Sequence, residues 1–265
     1  MLCRVFGRSK SEKSLQKKLM RDEGKYTKGG RLIQDVIGIR VVLYFQEDIE
    51  IVKKELSKKY EYDEKSSTID VPRTDQFSVT RYNLVYRLPD QFQENFCREI
   101  LSFPIDETIE IQLRSMLSEG WHEVEHDLRY KSKSNWENQT DLSRALNGIM
   151  ATLETSEWGM KKIFDDLAYR HYKNKNWAGM LQNKLRMRVD PTLSKNIIDL
   201  LNSDNNLAKE LFRAEKANII DLINKVKLKV PLNLDNLVFI WNHSNVKNKY
   251  ITEITPSLML EILDS

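Results

Sequence analysis

IEIQLRSMLSEGWHEVEHDLRYK, residues 109–131, is a stretch in which the spacing of apolar residues changes half-way along. At first apolar and polar residues alternate, with Ile109, Ile111 and Leu113 on one face, and this alternation is typical of a half-buried strand. The apolar residues that follow have the spacing of one helical stripe: Leu117, Trp121, Val124 and Leu128. We therefore predict a strand that carries one carboxylate, Glu110, and runs directly into an amphipathic helix.

A second strand is predicted at Ile33–Phe45, where a nearly continuous run of β-branched residues indicates burial on both faces. Asp35 precedes the apolar run and Arg40 lies within it. A buried carboxylate or guanidinium is costly unless it is paired or binds a ligand. These two side chains are therefore candidate site residues, and a salt bridge at the edge of the strand is the structural alternative.

Basic residues are concentrated at the start of the chain, although the net charge of the whole chain is only +3. Arg8 and Lys10 precede a helix that is predicted to begin at Ser11, and Lys17 lies on that helix. Several cations near one helix end suit a phosphate-bearing ligand. The alternative is a solvated basic helix.

The composition, with 40% hydrophobic and 31% charged residues, is that of an ordinary globular protein, and 265 residues suffice for one large domain or two small ones. Cys3 and Cys97 form no CxxC motif and no disulfide framework, which favours a reducing cytosol. No apolar run reaches the length of a transmembrane span, and no signal peptide precedes the domain. We expect a cytoplasmic protein without a membrane partner.

The segment His122–His126 also reads HExxH, the zinc-protease signature, with both histidines on one helical face. A zinc site of this kind needs a third ligand. No histidine follows before His171, and Glu154 and Glu157 lie in no recognisable partner motif. We therefore expect the purified protein to contain no stoichiometric zinc.

The remaining chain is read from its patterns as follows. Glu61–Gln76 is polar and predicts a loop with a weak strand, Gln91–Leu101 predicts a helix, and Leu142–Tyr172 predicts a long helix. Short helices are predicted after residue 176. Large aromatic residues in this last part are interpreted as core residues: Trp177, Phe239 and Trp241.

Three motifs together resemble the synthetase domain of the RelA/SpoT family, which makes the alarmone (p)ppGpp, and most strongly the small single-function alarmone synthetases. The strand motif EIQLR is followed by the helix motif EHDLRYK at 125–131. The pattern RxKxxxSxxK at 8–17 resembles the ATP-side motif of the family, and DxxGxR at 35–40 resembles its metal and adenine motif.

The resemblance implies a pyrophosphoryl transfer from ATP in which Asp35 and Glu110 hold Mg²⁺. In the family the strand glutamate is catalytic, and Glu110 could draw the proton from the attacking hydroxyl. Stacking of the adenine between Arg8 and Arg40 is also implied, since a guanidinium offers a flat face. The implied ATP-binding residues are Arg8, Lys10, Ser14, Lys17 and Arg40.

The acceptor side departs from the family pattern. The family loop reads Gly-Tyr-Arg-Ser-x-His and its tyrosine stacks on guanine, but here Val79 stands at the tyrosine position and Asn83 at the histidine position. Phe77 or Tyr82 is the alternative stacking residue. The acceptor side is therefore predicted to consist of a mixed set: Phe77, Tyr82, Asn83, Gln112, Arg114, Glu125, His126, Arg129 and Lys131.

The predicted fold class is α+β. A mixed sheet is predicted from the strands Ile37–Phe45, Tyr82–Arg87 and Ile109–Leu113, with flanking helices. The resemblance implies a nucleotidyltransferase-like topology for it and a synthetase domain at 1–175, from which the N-terminal helices of the family are missing. An all-helical accessory region is expected at 176–265. Three functions remain open: an alarmone synthetase acting on GDP or GTP, a toxin that pyrophosphorylates the 3′ end of tRNA, and a non-catalytic nucleotide-binding protein. Homo-oligomer formation is also left open.

Overall fold

The computed structural model describes residues 2–21, 24–27, 29–70, 81–93, 103–226 and 230–264. The chain forms two compact units, Met1–Trp158 and Gly159–Ser265. The predicted domain boundary at residue 175 stays a prediction. Among the described helices, none has the length and apolar character that a membrane span requires.

The first unit is built on a five-stranded sheet. Its strands are β1 (Leu2–Ser9), β2 (Ile37–Leu43), β3 (Tyr62–Asp70), β4 (Arg81–Arg87) and β5 (Thr108–Ser115). The spatial order is β1-β2-β5-β4-β3. Strands β2 and β5 pair in parallel and the other neighbours are antiparallel. This arrangement confirms the predicted mixed sheet, and the two strands that carry the strongest motifs lie side by side at its centre.

Helices flank the sheet, and an all-helical region follows it, as predicted. The helices that begin in the first unit are α1 (Glu12–Arg21), α2 (Glu47–Lys59), α3 (Met116–Val124), a π-helix (Glu125–Tyr130), a 3₁₀ helix (Lys133–Trp136) and the long α4 (Thr140–Lys173). Those that follow are α5 (Trp177–Leu185), α6 (Lys195–Ser203), α7 (Asn205–Arg213), α8 (Lys216–Lys225), α9 (Leu234–Trp241), a second π-helix (Asn242–Val246), α10 (Lys249–Ile254) and α11 (Ser257–Asp264).

One face of the sheet is apolar because alternate residues of its three central strands point the same way. Val41, Leu84, Ile111 and Leu113 are buried on this face together with Ile49 of α2. The alternation predicted at the start of β5 is therefore confirmed. The opposite face carries the polar partners of these residues, and the candidate site is built on it.

Two sequence predictions in this unit need correction, and a third is largely untested. Strand β2 begins at Ile37, as predicted for the sheet, but full burial within it is limited to 41–43, because the residues before them border the site face. The polar segment predicted as a loop with a weak strand contains the nine-residue strand β3, which pairs with β4. The helix predicted at Gln91–Leu101 falls largely outside the described residues.

The predicted apolar stripe after β5 is also wrong beyond its first half. Trp121 is buried, but Val124 is 45% and Leu128 64% exposed. Helix α3 ends at Val124 and the chain continues as a π-helix. The wider turn of a π-helix rotates later residues away from the stripe that a continuous α-helix would give.

The second unit has a hydrophobic core of its own. Trp177, Phe239 and Trp241 are buried in it together with aliphatic residues of several helices. Their interpretation as core residues is confirmed.

Candidate functional site

Strand register assembles the centre of the site. Gly38 of β2 pairs with Arg8 of β1 on one side and with Glu110 of β5 on the other. Two residues further along β2, Arg40 pairs with Gln112 of β5. Side chains at paired positions point to the same face of a sheet. The ATP-side arginine, the DxxGxR motif and the strand glutamate are therefore brought to one face.

A cavity of about 530 Å³ lies over this face, a size that suits a small-molecule ligand. Its floor is made by β1, β2 and β5, and its wall by α3 and the π-helix. The lining residues are Phe6, Arg8, Asp35, Gly38, Ile39, Arg40, Glu110, Gln112, Glu119, His122, Glu123, His126, Asp127 and Lys131. Seven of the predicted site residues thus meet here: Arg8, Asp35, Arg40, Glu110, Gln112, His126 and Lys131.

Asp35 is held by two lysines of the basic segment. Lys10 donates to one carboxylate oxygen at 2.6 Å and Lys18 to the other at 2.9 Å. Burial alone would raise the pKa of Asp35, but the two hydrogen bonds and positive charges outweigh it and lower the pKa below its usual value. These contacts favour the ionised carboxylate, the form that can act as a hard oxygen ligand.

Lys18 was not among the predicted site residues. Of the two residues predicted on α1, Lys17 is exposed, and Ser14 shares a hydrogen bond with the helix-capping residue Ser11 at 2.9 Å. Their roles in ATP binding stay predictions. The signal in the sequence that could have indicated Lys18 is the apolar residue Leu15, which is buried and marks the inner side of α1. A residue three positions later lies on that same side.

Arg40 is paired with two carboxylates of α3. Its Nη1 donates to Glu119 at 2.5 Å and to Glu123, and its Nε donates to Gln112 at 3.1 Å. Burial lowers the pKa of the guanidinium, but its bonds to the two glutamates outweigh this effect and the net shift is upward. The predicted alternative of a salt bridge is thus present, and it lies within the cavity.

The two predicted metal ligands, Asp35 and Glu110, line the same cavity. Glu110 accepts a hydrogen bond from Gln112 at 2.6 Å, which orients its carboxylate. Within the described ranges no group of three or more His, Cys, Asp or Glu side chains could hold a metal ion. Two carboxylates fit Mg²⁺, which takes few protein oxygens and completes its shell with water and substrate phosphates. A zinc site would need a third ligand, and the absence of stoichiometric zinc stays a prediction.

The predicted acceptor residues divide into two groups. His126 and Lys131 line the cavity, and both bond to Asp127, at 2.9 and 2.7 Å. Glu125 and Arg129, by contrast, form an ion pair of 3.3 Å with each other outside the lining. Only the side of the π-helix that bears His126 and Asp127 therefore faces the cavity.

Asn83 and Arg114 lie beside the cavity floor without lining it. The Arg114 side chain is buried, and its Nη2 donates to the Asn83 side-chain oxygen at 2.8 Å. Burial lowers the pKa of the guanidinium to about 10. The two side chains therefore link β4 and β5 on the site face, and Arg114 adds positive charge beside the cavity.

Tyr82 is not brought to the cavity. Its side chain is 5% exposed on the apolar face of the sheet, and its hydroxyl donates to Glu50 of α2. A ring buried on the other side of the sheet cannot stack on a base in this cavity, so the prediction for Tyr82 is corrected. Phe77, the alternative stacking residue, lies outside the described residues.

His122 was noted in the sequence only as part of HExxH, and it proves to be a cavity residue. Its ring stacks against that of His126, with centroids 5.9 Å apart. Burial, and then the positive charges of Arg114 and Arg40, lower the pKa of His122 to about 4. The imidazole is therefore neutral at neutral pH.

This shift predicts a pH dependence of stability. Between pH 6.5 and about 4 the unfolded chain protonates His122 and the folded chain does not. Folding stability is therefore lost as the pH falls through this window, by about 1–2 kcal/mol after allowance for solvent screening. Urea unfolding of wild type and His122→Gln at pH 7 and pH 4.5 should give a smaller loss in the variant. Equal losses would contradict this origin.

Residues 7–135 match the family model described as a region found in RelA / SpoT proteins. The chain contains a RelA/SpoT region. This region includes every lining residue of the cavity except Phe6. The match agrees with the family resemblance seen in the three motifs, all of which lie within residues 7–135.

Solved structures that match the chain include the small alarmone synthetase 1 from Bacillus subtilis, at 24% identity over 61% of this chain and 78% of that chain, with a TM-score of 0.43. The same protein bound to its product pppGpp matches at 24% identity over 63% and 80%, with a TM-score of 0.45. A GTP pyrophosphokinase family protein from Streptococcus pneumoniae matches at 23% identity over 62% and 76%, with a TM-score of 0.43. No curated protein matches the chain.

Proposed function

We propose that this protein transfers the β,γ-pyrophosphate of ATP to the ribose 3′-hydroxyl of GDP or GTP, making (p)ppGpp. The observation that carries the proposal is the convergence of Arg8, Asp35, Arg40 and Glu110 on one cavity inside the RelA/SpoT region. Three of these residues lie on three different strands and Asp35 lies in the connection before β2. The proposed chemistry needs all four.

In the proposed reaction the 3′-oxygen of the acceptor attacks the β-phosphorus of ATP. A bond forms between that oxygen and the phosphorus, the bond from the β-phosphorus to the α–β bridging oxygen breaks, and AMP leaves. Glu110 takes the proton of the attacking hydroxyl. Such transfers are accelerated mainly by positioning and by stabilisation of charge. Lys10 and Lys18 lie where they can balance phosphate charge, because both already contact Asp35.

Asp35 and Glu110 would hold Mg²⁺, which supplies neutralisation of the phosphate charge when bound. The carboxylate of Asp35 is kept ionised by its two lysines, and that of Glu110 is oriented by Gln112. A flexible lysine side chain can move from a carboxylate to an incoming phosphate. This exchange would leave Asp35 free to act as a ligand.

The 3′ end of tRNA is a second candidate acceptor, and one surface feature favours it. The stacked rings of His122 and His126 continue to Tyr130, whose ring is 5.7 Å from His126 and half exposed. Lys133 lies 4.6 Å over the Tyr130 ring. A row of rings with cations beside it suits single-stranded RNA, whose bases stack on flat side chains.

Labelling separates the two acceptors. Purified protein is incubated with γ-labelled ATP and Mg²⁺, together with GDP, GTP or bulk tRNA. Our proposal predicts label in the guanine nucleotide. Label only in tRNA would replace it by the tRNA-modifying activity, and ATP binding without labelling of either acceptor would leave a nucleotide-binding protein.

Arg40→Lys is expected to weaken ATP binding by about 10–100-fold, because lysine keeps the charge and loses the flat face for adenine. Isothermal calorimetry of ATP measures the effect. Arg87→Lys is a matched control, since Arg87 lies at the far end of β4 and its partner Glu61 is 4.0 Å away. Unchanged ATP affinity in Arg40→Lys would show that Arg40 only pairs with the glutamates of α3.

A further inference from the structure

Arg40 is contacted along the edge of its guanidinium group. The donors used are Nε, towards Gln112, and Nη1, towards Glu119 and Glu123. The N–H bonds of a guanidinium lie in its plane, so partners on these bonds occupy the edge and leave the two flat faces for stacking. Because Arg40 lines the cavity, this edge contact determines which part of a ligand Arg40 can serve.

The charges at this contact also disfavour a role for Arg40 in phosphate binding. Two carboxylates face one guanidinium, so the group as a whole does not carry the net positive charge that would attract a phosphate. The Glu119 side chain is 15% exposed and that of Glu123 50% exposed. The pair with Glu119 is therefore the more shielded from water, and the stronger of the two.

The spacing of the two glutamates along α3 indicates that they need a cation between them. Glu119 and Glu123 are four residues apart and so lie on one side of the helix. Like charges at this spacing destabilise a helix by some tenths of a kcal/mol unless a cation lies between them. Arg40 is that cation, and it comes from the neighbouring strand β2.

We propose that Glu119 and Glu123 are positioning residues that commit Arg40 to the base of the bound nucleotide and withhold it from the phosphates. The proposal rests on the proposed function, in which Arg40 contacts the base of ATP. The lysines around Asp35 remain as the phosphate partners. Both glutamates accept from Nη1, so removing either one would free one N–H of this nitrogen to donate to a phosphate oxygen.

The test compares calorimetric binding of ATP and of inorganic tripolyphosphate, which has the phosphates without the base. In Glu119→Gln we expect ATP affinity to fall about 10-fold and tripolyphosphate affinity to rise several-fold, with kcat at saturating ATP little changed. Glu123→Gln should shift both affinities in the same directions by less, because its carboxylate is more exposed. Glu119→Asp, which keeps the charge, should restore part of the ATP preference.

Two control experiments accompany this test. Glu61 lies outside the cavity lining, and its carboxylate is 4.0 Å from Arg87. Glu61→Gln should therefore change neither affinity. In the Arg40→Lys background, Glu119→Gln should have no further effect on the ratio of the two affinities, because the residue that it positions is absent.

The outcomes also separate this proposal from the proposed function. An unchanged ratio in both glutamine variants, or an equal change with and without Arg40, would overturn the positioning role while ATP still binds. Absence of ATP binding to the wild-type protein would overturn the proposed function, and the positioning role with it. Both measurements are independent of the acceptor.

Discussion

Replacing Glu110 by glutamine is expected to lower pyrophosphoryl transfer by about 1,000-fold or more. The substitution keeps the size of the side chain and its place on β5 opposite Gly38. It removes the negative charge that would accept the proton and hold the metal. Because both contributions are made at the reacting atoms, kcat should fall far more than the affinity for ATP changes.

The measurement is single-turnover labelling of the acceptor with γ-labelled ATP, together with ATP calorimetry. Glu61→Gln is the matched control, since it removes a carboxylate of the same first unit outside the cavity. Thermal unfolding of both variants tests whether the fold is kept. Wild-type turnover in Glu110→Gln, with the fold intact, would sink the assignment of Glu110 as the catalytic base.

Strands β2 and β5 could be predicted from the sequence because local patterns determine them. The alternation around Glu110 requires one buried and one polar face, and the β-branched run after Asp35 requires a central position. Both strands formed, and their parallel pairing brought Arg40 beside Gln112. The core of the candidate site was accessible to sequence reasoning for this reason.

Other features depend on contacts that sequence spacing does not specify. Whether Tyr82 faces the site or the core is decided by the register of β4 against β5, and a shift of one residue reverses it. The choice between Lys17 and Lys18 depends on how α1 is rotated against Asp35. In each case the sequence pattern allows both alternatives, and only tertiary packing decides which side chain faces the site.

The wall of the cavity illustrates a third limit. An ideal α-helix from Leu117 onward would bury Leu128 on the side of Trp121, and a sequence analysis assumes such regularity. The chain instead changes to a π-helix at Glu125, and Leu128 is 64% exposed. The ring of His126 stacks between those of His122 and Tyr130 on the same helical turns. Turns of this kind have no reliable sequence signal and are frequent at functional sites.

Asp35→Asn is expected to reduce transfer by about 100-fold or more, for a different physical reason from Glu110→Gln. Asparagine cannot carry the charge that attracts Mg²⁺, and it leaves Lys10 and Lys18 without their common carboxylate. The two lysines are then free to bind phosphate more strongly. We therefore expect the Mg²⁺ concentration needed for half-maximal transfer to rise, while binding of ATP in the absence of Mg²⁺ becomes tighter.

Stability gives an independent check on this variant. Folding lowers the pKa of Asp35, so the ionised carboxylate contributes stability above its unfolded value of 3.8 and loses that contribution as the pH falls through the folded value. At pH 7 Asp35→Asn should therefore be less stable by about 1 kcal/mol, and the difference should shrink at pH 3. Urea unfolding at both pH values measures it. Full transfer activity at low Mg²⁺, or equal stability of both proteins at pH 7, would show that the two lysines and Asp35 are not the coupled charge centre that their geometry indicates.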